Sequence, residues 1–191
     1  MTVNYGVIGT GMMGCEHIRN IVQIETASVV AIADPSERSL GWGQKACQGR
    51  FTPDEYTDYR DLLARDDIDA VVVASPNFTH IDVMRDVFGT SKHVLLEKPM
   101  CTTMADSIEL RTMAEKHTGM VWIGLEYRYM SPIMSFLNEL EDNVVGDIKM
   151  FFIREHRFPF LKKVDNWNRF NRNSGGTLVE KCCHFFDMMN L

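Results

Sequence analysis

No apolar run in this sequence approaches the roughly 20 residues that a membrane-spanning helix needs. Nor is there a basic excess: 20 lysines and arginines face 26 acidic residues, for a formal net charge of -6. Phosphate backbones need a basic face, so this balance argues against a nucleic-acid partner. The five cysteines, Cys15, Cys47, Cys101, Cys182 and Cys183, contain no C-x-x-C spacing and form an odd set. That argues against a zinc site and a disulfide framework, and predicts reduced thiols in a cytoplasmic protein. The N-terminus shows no basic-then-apolar signal pattern and goes straight into a strand-like run.

What remains is ordinary soluble composition, with 45% hydrophobic and 24% charged residues. A length of 191 residues suits one good core, or one domain plus part of another. The thirteen methionines are expected to fill gaps in the core.

Strand-like and helix-like segments alternate through the first two thirds of the chain. Strands are predicted at Val3–Ile8, Ser28–Ala33, Ala70–Ala74, Val94–Leu96 and Met120–Gly124. Helices are predicted after the first turn to about Gln23, and at 37–47, 58–64, 79–88 and 104–117. This alternation predicts right-handed βαβ units in a doubly wound parallel sheet, an α/β Rossmann domain over residues 1–124.

Beyond Gly124 the pattern changes, and residues 125–191 read as the start of an α+β second domain with a mainly antiparallel sheet. A helix is expected at 132–140, a long strand at 147–156 and an aromatic loop at 158–174. A helix opened by Gly175-Gly176 is expected to run to Leu191. A lone long strand needs a partner, so the second domain reads as C-terminally truncated, or as pairing with another copy.

The turn Gly9-Thr10-Gly11-Met12-Met13-Gly14 follows the first strand and opens a helix. In such a turn the first glycine permits the bend, the second lets backbone approach a pyrophosphate, and the third lets helix and strand pack. The helix N-terminus adds a positive dipole for the phosphates. Asp34, at the end of the second strand, stands where a carboxylate would bind ribose hydroxyls and repel a 2′-phosphate, favouring NAD over NADP. Asp34 also reads as a helix N-cap, and Arg38 reads as an exposed helix residue or a 2′-phosphate contact.

Lys98 lies in Glu97-Lys98-Pro99, directly after the predicted strand Val94–Leu96, where side chains point into the ligand crevice of such sheets. Glu180, His184 and Asp187 fall at i, i+4 and i+7 of the last predicted helix and would share one face. A carboxylate one turn before a histidine can fix its tautomer and free the other nitrogen for proton transfer. A metal reading of Cys183, His184 and Asp187 gives a poor cage, so no metal site is expected.

Together, Gly9–Gly14 with Asp34, Ser75-Pro76-Asn77-Phe78-Thr79-His80, Glu97-Lys98-Pro99, and the run from Gly175 to Asp187 resemble the glucose–fructose oxidoreductase/inositol dehydrogenase (Gfo/Idh/MocA) family. The resemblance implies an NAD(P)-dependent oxidoreductase acting on a hydroxyl-bearing carbon of a sugar, cyclitol or related polyol. It also implies two domains in roughly twice this length, and a homo-oligomer formed through the second-domain sheet. Met12, Met13, Ser75, Asn77, His80 and Glu97 would then lie near the cofactor. Lys98 would bond the reacting oxygen, His184 act as general acid/base with Glu180 orienting it, and Asp187 bind a substrate hydroxyl. Asn77 and His80 also read as a turn residue and a helix-start residue.

Two positions depart from the family pattern, which usually has aspartate where Glu180 stands and glycine where Cys182 stands. Arg154, His156, Arg157, Lys162 and Lys163 make a locally basic stretch, read as charge cover or as a contact for an acidic sugar. Trp167 and Phe170 read as sugar-stacking rings or loop anchors. The competing functions are a non-catalytic NAD-responsive regulator and, less favoured, an NAD-dependent glycoside hydrolase.

Overall fold

The structure is a computed structural model that describes residues 2–156 and 162–191. Six strands form its parallel sheet: β1 (Val3–Ile8), β2 (Ala27–Ala33), β3 (Asp54–Tyr56), β4 (Ala70–Val73), β5 (His93–Glu97) and β6 (Val121–Gly124). Their spatial order is β3-β2-β1-β4-β5-β6. β4 is Ala-Val-Val-Val and buried along its whole length, as a strand covered on both faces should be. Successive side chains alternate between the two cores: Val71 and Val73 enter one, Val72 the other.

Helices cover both faces. α1 (Met12–Val22) buries Cys15, Ile18, Ile21 and Val22, a three-to-four-residue spacing that presents one apolar stripe. α2 (Glu37–Ala46) starts at Ser36, whose hydroxyl accepts the Ser39 N–H and so satisfies an end-of-helix donor. α3 (Tyr59–Leu63), α4 (His80–Val87) and α5 (Met104–Ala114) complete the layers. β3 was not expected from sequence; it is a three-residue edge strand, with Asp54–Tyr56 beside Ala31–Ala33. Strand order reverses between β1 and β4, so their carboxyl ends splay and open a crevice.

Past β6 the chain makes a 3-10 turn at Glu126–Tyr129 and then α6 (Ser131–Glu141). The strand expected at 147–156 is not formed. Strands persist through ladder bonds to a neighbour, and no described residue is laddered to this segment, whose Met150 and Phe152 are 88% and 80% exposed. The antiparallel sheet of the second domain is therefore absent among the described residues. Of the expected 158–174 loop, residues 164–169 make a 3-10 turn and α7 (Asn171–Ser174) one helical turn; Arg157 and 158–161 lie outside the described residues.

The long helix expected from Gly175 to Leu191 is two short ones, α8 (Thr177–Glu180) and α9 (Cys183–Met189). The Thr177 carbonyl accepts N–H bonds from both Lys181 (3.0 Å) and Cys182 (3.3 Å). That wide bond takes the chain out of α-helical register, so Glu180 and His184 no longer share a helix face.

Candidate active site

The crevice at the carboxyl ends of the strands encloses about 1880 Å³, above the roughly 300–1,000 Å³ usual for one small ligand. Gly9 adopts φ +89°, and a Cβ there would sit 2.6 Å from the Ser75 amide nitrogen. A Cβ on Gly14 would fall 1.9 Å from the Gly9 carbonyl oxygen, so only glycine lets α1 close onto the turn. At Gly11 a Cβ would meet nothing within 4 Å. That bare stretch of backbone faces the crevice at the start of α1, where no side chain caps the helix. Open amide donors at a helix N-terminus suit a pyrophosphate, so the residues present fit a dinucleotide.

Asp34 also borders the crevice. Its Oδ2 accepts the Thr10 N–H and its Oδ1 the Ser36 N–H, both at 2.9 Å, which ties the glycine turn to the end of β2. Ser36, not Asp34, caps α2. Arg38 lies over the Trp42 ring at 4.9 Å on the exposed side of the same helix. Met12, Met13, Ser75 and Asn77 line the crevice, and Asn77 Nδ2 donates to the Ser174 carbonyl at 3.5 Å. His80 does not line it: fully buried, its ring nitrogens lie 2.9 Å from the Pro99 carbonyl and 3.1 Å from that of Ser75. Burial pushes the His80 imidazole below its ordinary value, against the pull of those carbonyls. It acts as a brace between the two loops that carry Ser75 and Lys98.

Lys98 enters the crevice one residue past β5, its Nζ donating to the Glu180 carbonyl at 3.4 Å. Glu97 is buried beside it; burial alone would raise its carboxyl, but a 2.7 Å bond to His17 and the Lys98 charge hold it below its ordinary value. Lys163 also borders the crevice. Burial, together with the nearby Lys98 charge, lowers its ammonium below the ordinary value, while Glu180 and Glu97 work the other way.

The His184 partnership differs from expectation. Its Nε2 lies 3.6 Å from Oε1 of Glu126, not against the Glu180 carboxylate. The ring stacks on Tyr127 at 4.0 Å and 8°, is 2% exposed, and does not border the crevice. Glu126 does, and burial raises its carboxyl above the ordinary value while the Lys98 charge opposes that rise. Asp187 is bound by Arg128, whose Nε donates to Oδ2 at 2.9 Å and whose Nη2 donates to Oδ1. Trp167 packs edge-on against Phe78 at 6.4 Å, pinning the 164–169 turn to the loop after β4.

Residues 3–125 match a family model described as the oxidoreductase family, NAD-binding Rossmann fold, and residues 138–191 match that family's C-terminal alpha/beta domain. The chain belongs to the Gfo/Idh/MocA oxidoreductase family. An inositol 2-dehydrogenase of Gluconacetobacter diazotrophicus is 34% identical over 155 residues, covering 78% of this chain and 44% of that protein. An uncharacterized oxidoreductase of Bacillus subtilis is 28% identical over 184 residues, covering 96% of this chain and 51% of its own length. Among solved structures, the myo-inositol dehydrogenase of Lactobacillus casei, in complex with NAD(H) and myo-inositol, is similar at TM-score 0.71 and 28% identity. That match covers 76% of this chain and 43% of the other. The chain thus spans about half the length of the curated relatives it matches.

Two charged crevice residues of this Gfo/Idh/MocA chain, Glu126 and Lys163, were not assigned to the site from sequence. Glu126 stands two residues past the end of β6, and the strand-end rule that pointed to Lys98 could have found it. Lys163 was read with its basic neighbours as charge cover or as a contact for an acidic sugar, because a lysine in an irregular stretch carries no sign of where its side chain will end up.

Proposed function

We propose that this protein is an NAD-dependent oxidoreductase that interconverts a secondary hydroxyl and a ketone on a cyclitol, sugar or related polyol. The observation that carries the reading is Lys98, an ammonium placed in the same crevice as the bare Gly11 backbone. Bound there, the oxidised nicotinamide supplies the hydride acceptor. The chain's own part is to seat the pyrophosphate on the α1 N-terminus and to place Lys98 Nζ against the reacting oxygen. Asp34 favours NAD, since its carboxylate opposes a 2′-phosphate at that end of the crevice.

Inositol dehydrogenases among the relatives support a cyclitol as the first substrate to try. Residues 1–124 are the cofactor domain and 125–191 belong to the substrate domain, through which copies associate in the cytoplasm. Met12, Met13, Ser75, Asn77 and Glu97 belong to the cofactor end, Lys98 to the reacting centre.

The deciding experiment measures NAD binding by titration calorimetry and NADH formation at 340 nm across inositol isomers, hexoses and linear polyols. NADH formation from at least one cyclitol or polyol is expected. Tight NAD binding without turnover on the whole panel would instead favour a non-catalytic NAD-responsive protein.

A further inference from the structure

We infer that Lys163 binds a carboxylate in the crevice, so that the substrate is a polyol bearing an acid group, a sugar acid; this rests on the oxidoreductase reading above. Lys163 stands at the start of the 164–169 turn and borders the same crevice as Lys98. It is half-buried, yet among the described residues its Nζ makes no hydrogen bond and meets no carboxylate at ion-pair distance. The other shielded lysines differ: Lys92 donates to the Arg65 and Ile68 carbonyls, and Lys98 to that of Glu180. An ammonium drawn partly out of water needs an acceptor, and the side of Lys163 left open is the crevice.

The backbone under Lys163 is held in place. Its carbonyl accepts the Asn166 N–H at 3.0 Å across Asp165 and Asn166, both at φ +52°. Residues other than glycine adopt that left-handed conformation rarely, and keep it where contacts enforce it. Asn173 Nδ2 donates to the Trp167 carbonyl at 3.2 Å, and Trp167 and Ser174 both touch the loop after β4. The chain, rather than an ion pair, therefore sets where this ammonium sits.

The surrounding charges select the anion. Lys98 and Glu97 face Lys163 from the end of β5, and Glu180 from α8. Glu97 is already bonded to His17, and the Lys98 charge works against the Lys163 ammonium. One negative charge beside the two lysines relieves their repulsion. A phosphate dianion would also meet the Glu126 and Glu180 carboxylates that border the crevice, so a carboxylate fits better. Lys98 takes the reacting hydroxyl and Lys163 the acid group of the same molecule.

The test pairs gluconate with sorbitol, galacturonate with galactose, and glucose 6-phosphate with glucose, in wild type, Lys163→Met and Lys163→Arg. It follows NADH formation, and uses calorimetry for NAD and for gluconate or sorbitol added to the NAD-saturated protein. Wild type should favour an acid over its neutral partner by about 10-fold or more in kcat/KM and in affinity. Lys163→Met should lose that preference by about 10- to 100-fold, chiefly through the KM of the acid, and Lys163→Arg should retain most of it. NAD affinity should agree among the three proteins within a small factor. Neutral polyols used as well as acids, an acid preference that survives Lys163→Met, or a stronger preference for the phosphate overturns this inference and leaves the oxidoreductase reading intact. NAD affinity lost in Lys163→Met hands the lysine to the dinucleotide and overturns the inference equally. A wild type that binds NAD but turns over nothing here or among the inositols overturns that reading, and this inference with it.

Discussion

His17 on α1 and Glu97 at the end of β5 are joined at 2.7 Å, imidazole nitrogen to carboxylate oxygen, with the Glu97 side chain only 8% exposed. The contact fastens the helix that would seat the pyrophosphate to the strand end that presents Lys98. Movement of one is thereby coupled to placement of the other.

Glu97 has a stability consequence with a definite sign. Its folded-state value lies below its ordinary 4.5, so its contribution is complete above that pH and is lost as pH falls through the folded-state value. Glu97→Gln should therefore lower Tm at pH 7, and the gap to wild type should narrow below pH 4.5 in thermal melts. A gap that widens on acidification would contradict this.

The Gly14 contact predicts a steric effect. With a Cβ 1.9 Å from the Gly9 carbonyl oxygen, Gly14→Ala must push α1 off the turn. An overpacked junction of this kind costs about 1–3 kcal/mol, read from denaturant unfolding. NAD affinity should fall with it, because the helix start moves away from the crevice. Gly11→Ala, whose Cβ has open space, should leave stability within about 1 kcal/mol of wild type while still weakening NAD.

Lys98→Met keeps the stem and removes the charge. NADH formation should fall by about 100-fold or more, while the calorimetric affinity for NAD stays within a small factor of wild type. Equal activity in the variant would remove Lys98 from the chemistry.

The Arg128–Asp187 pair predicts a structural role for Asp187. Asp187→Asn should destabilise the chain by about 1–2 kcal/mol, less than a fully buried pair because Arg128 is 31% exposed. Matching losses for Arg128→Gln and the double variant in unfolding experiments would show that the two residues act through each other. An Asp187→Asn protein of unchanged stability and raised KM would return Asp187 to the substrate.

The first 124 residues were legible because their signals are local. Val71, Val72 and Val73 announce a two-sided strand, and Gly9, Gly11 and Gly14 mark a turn whose steric demands follow from backbone geometry. β3 was missed because three residues at a sheet edge leave almost no periodic trace. His80 was ambiguous for a related reason: a histidine at a helix start looks the same whether it meets a ligand or, as here, two carbonyls of its own chain.

Sequence alone was enough for the parallel βαβ plan, the glycine cradle and the exit of Lys98 from β5, since each depends on neighbours within one strand-turn-helix unit. Which acid meets His184 was decided only in three dimensions. The i, i+4 rule pointed to Glu180, but the wide bond at Thr177 breaks that helix, and the turn after β6 delivers Glu126 instead. Helical spacing holds only while the hydrogen-bond register holds, and contacts between residues almost sixty positions apart leave no local pattern to read.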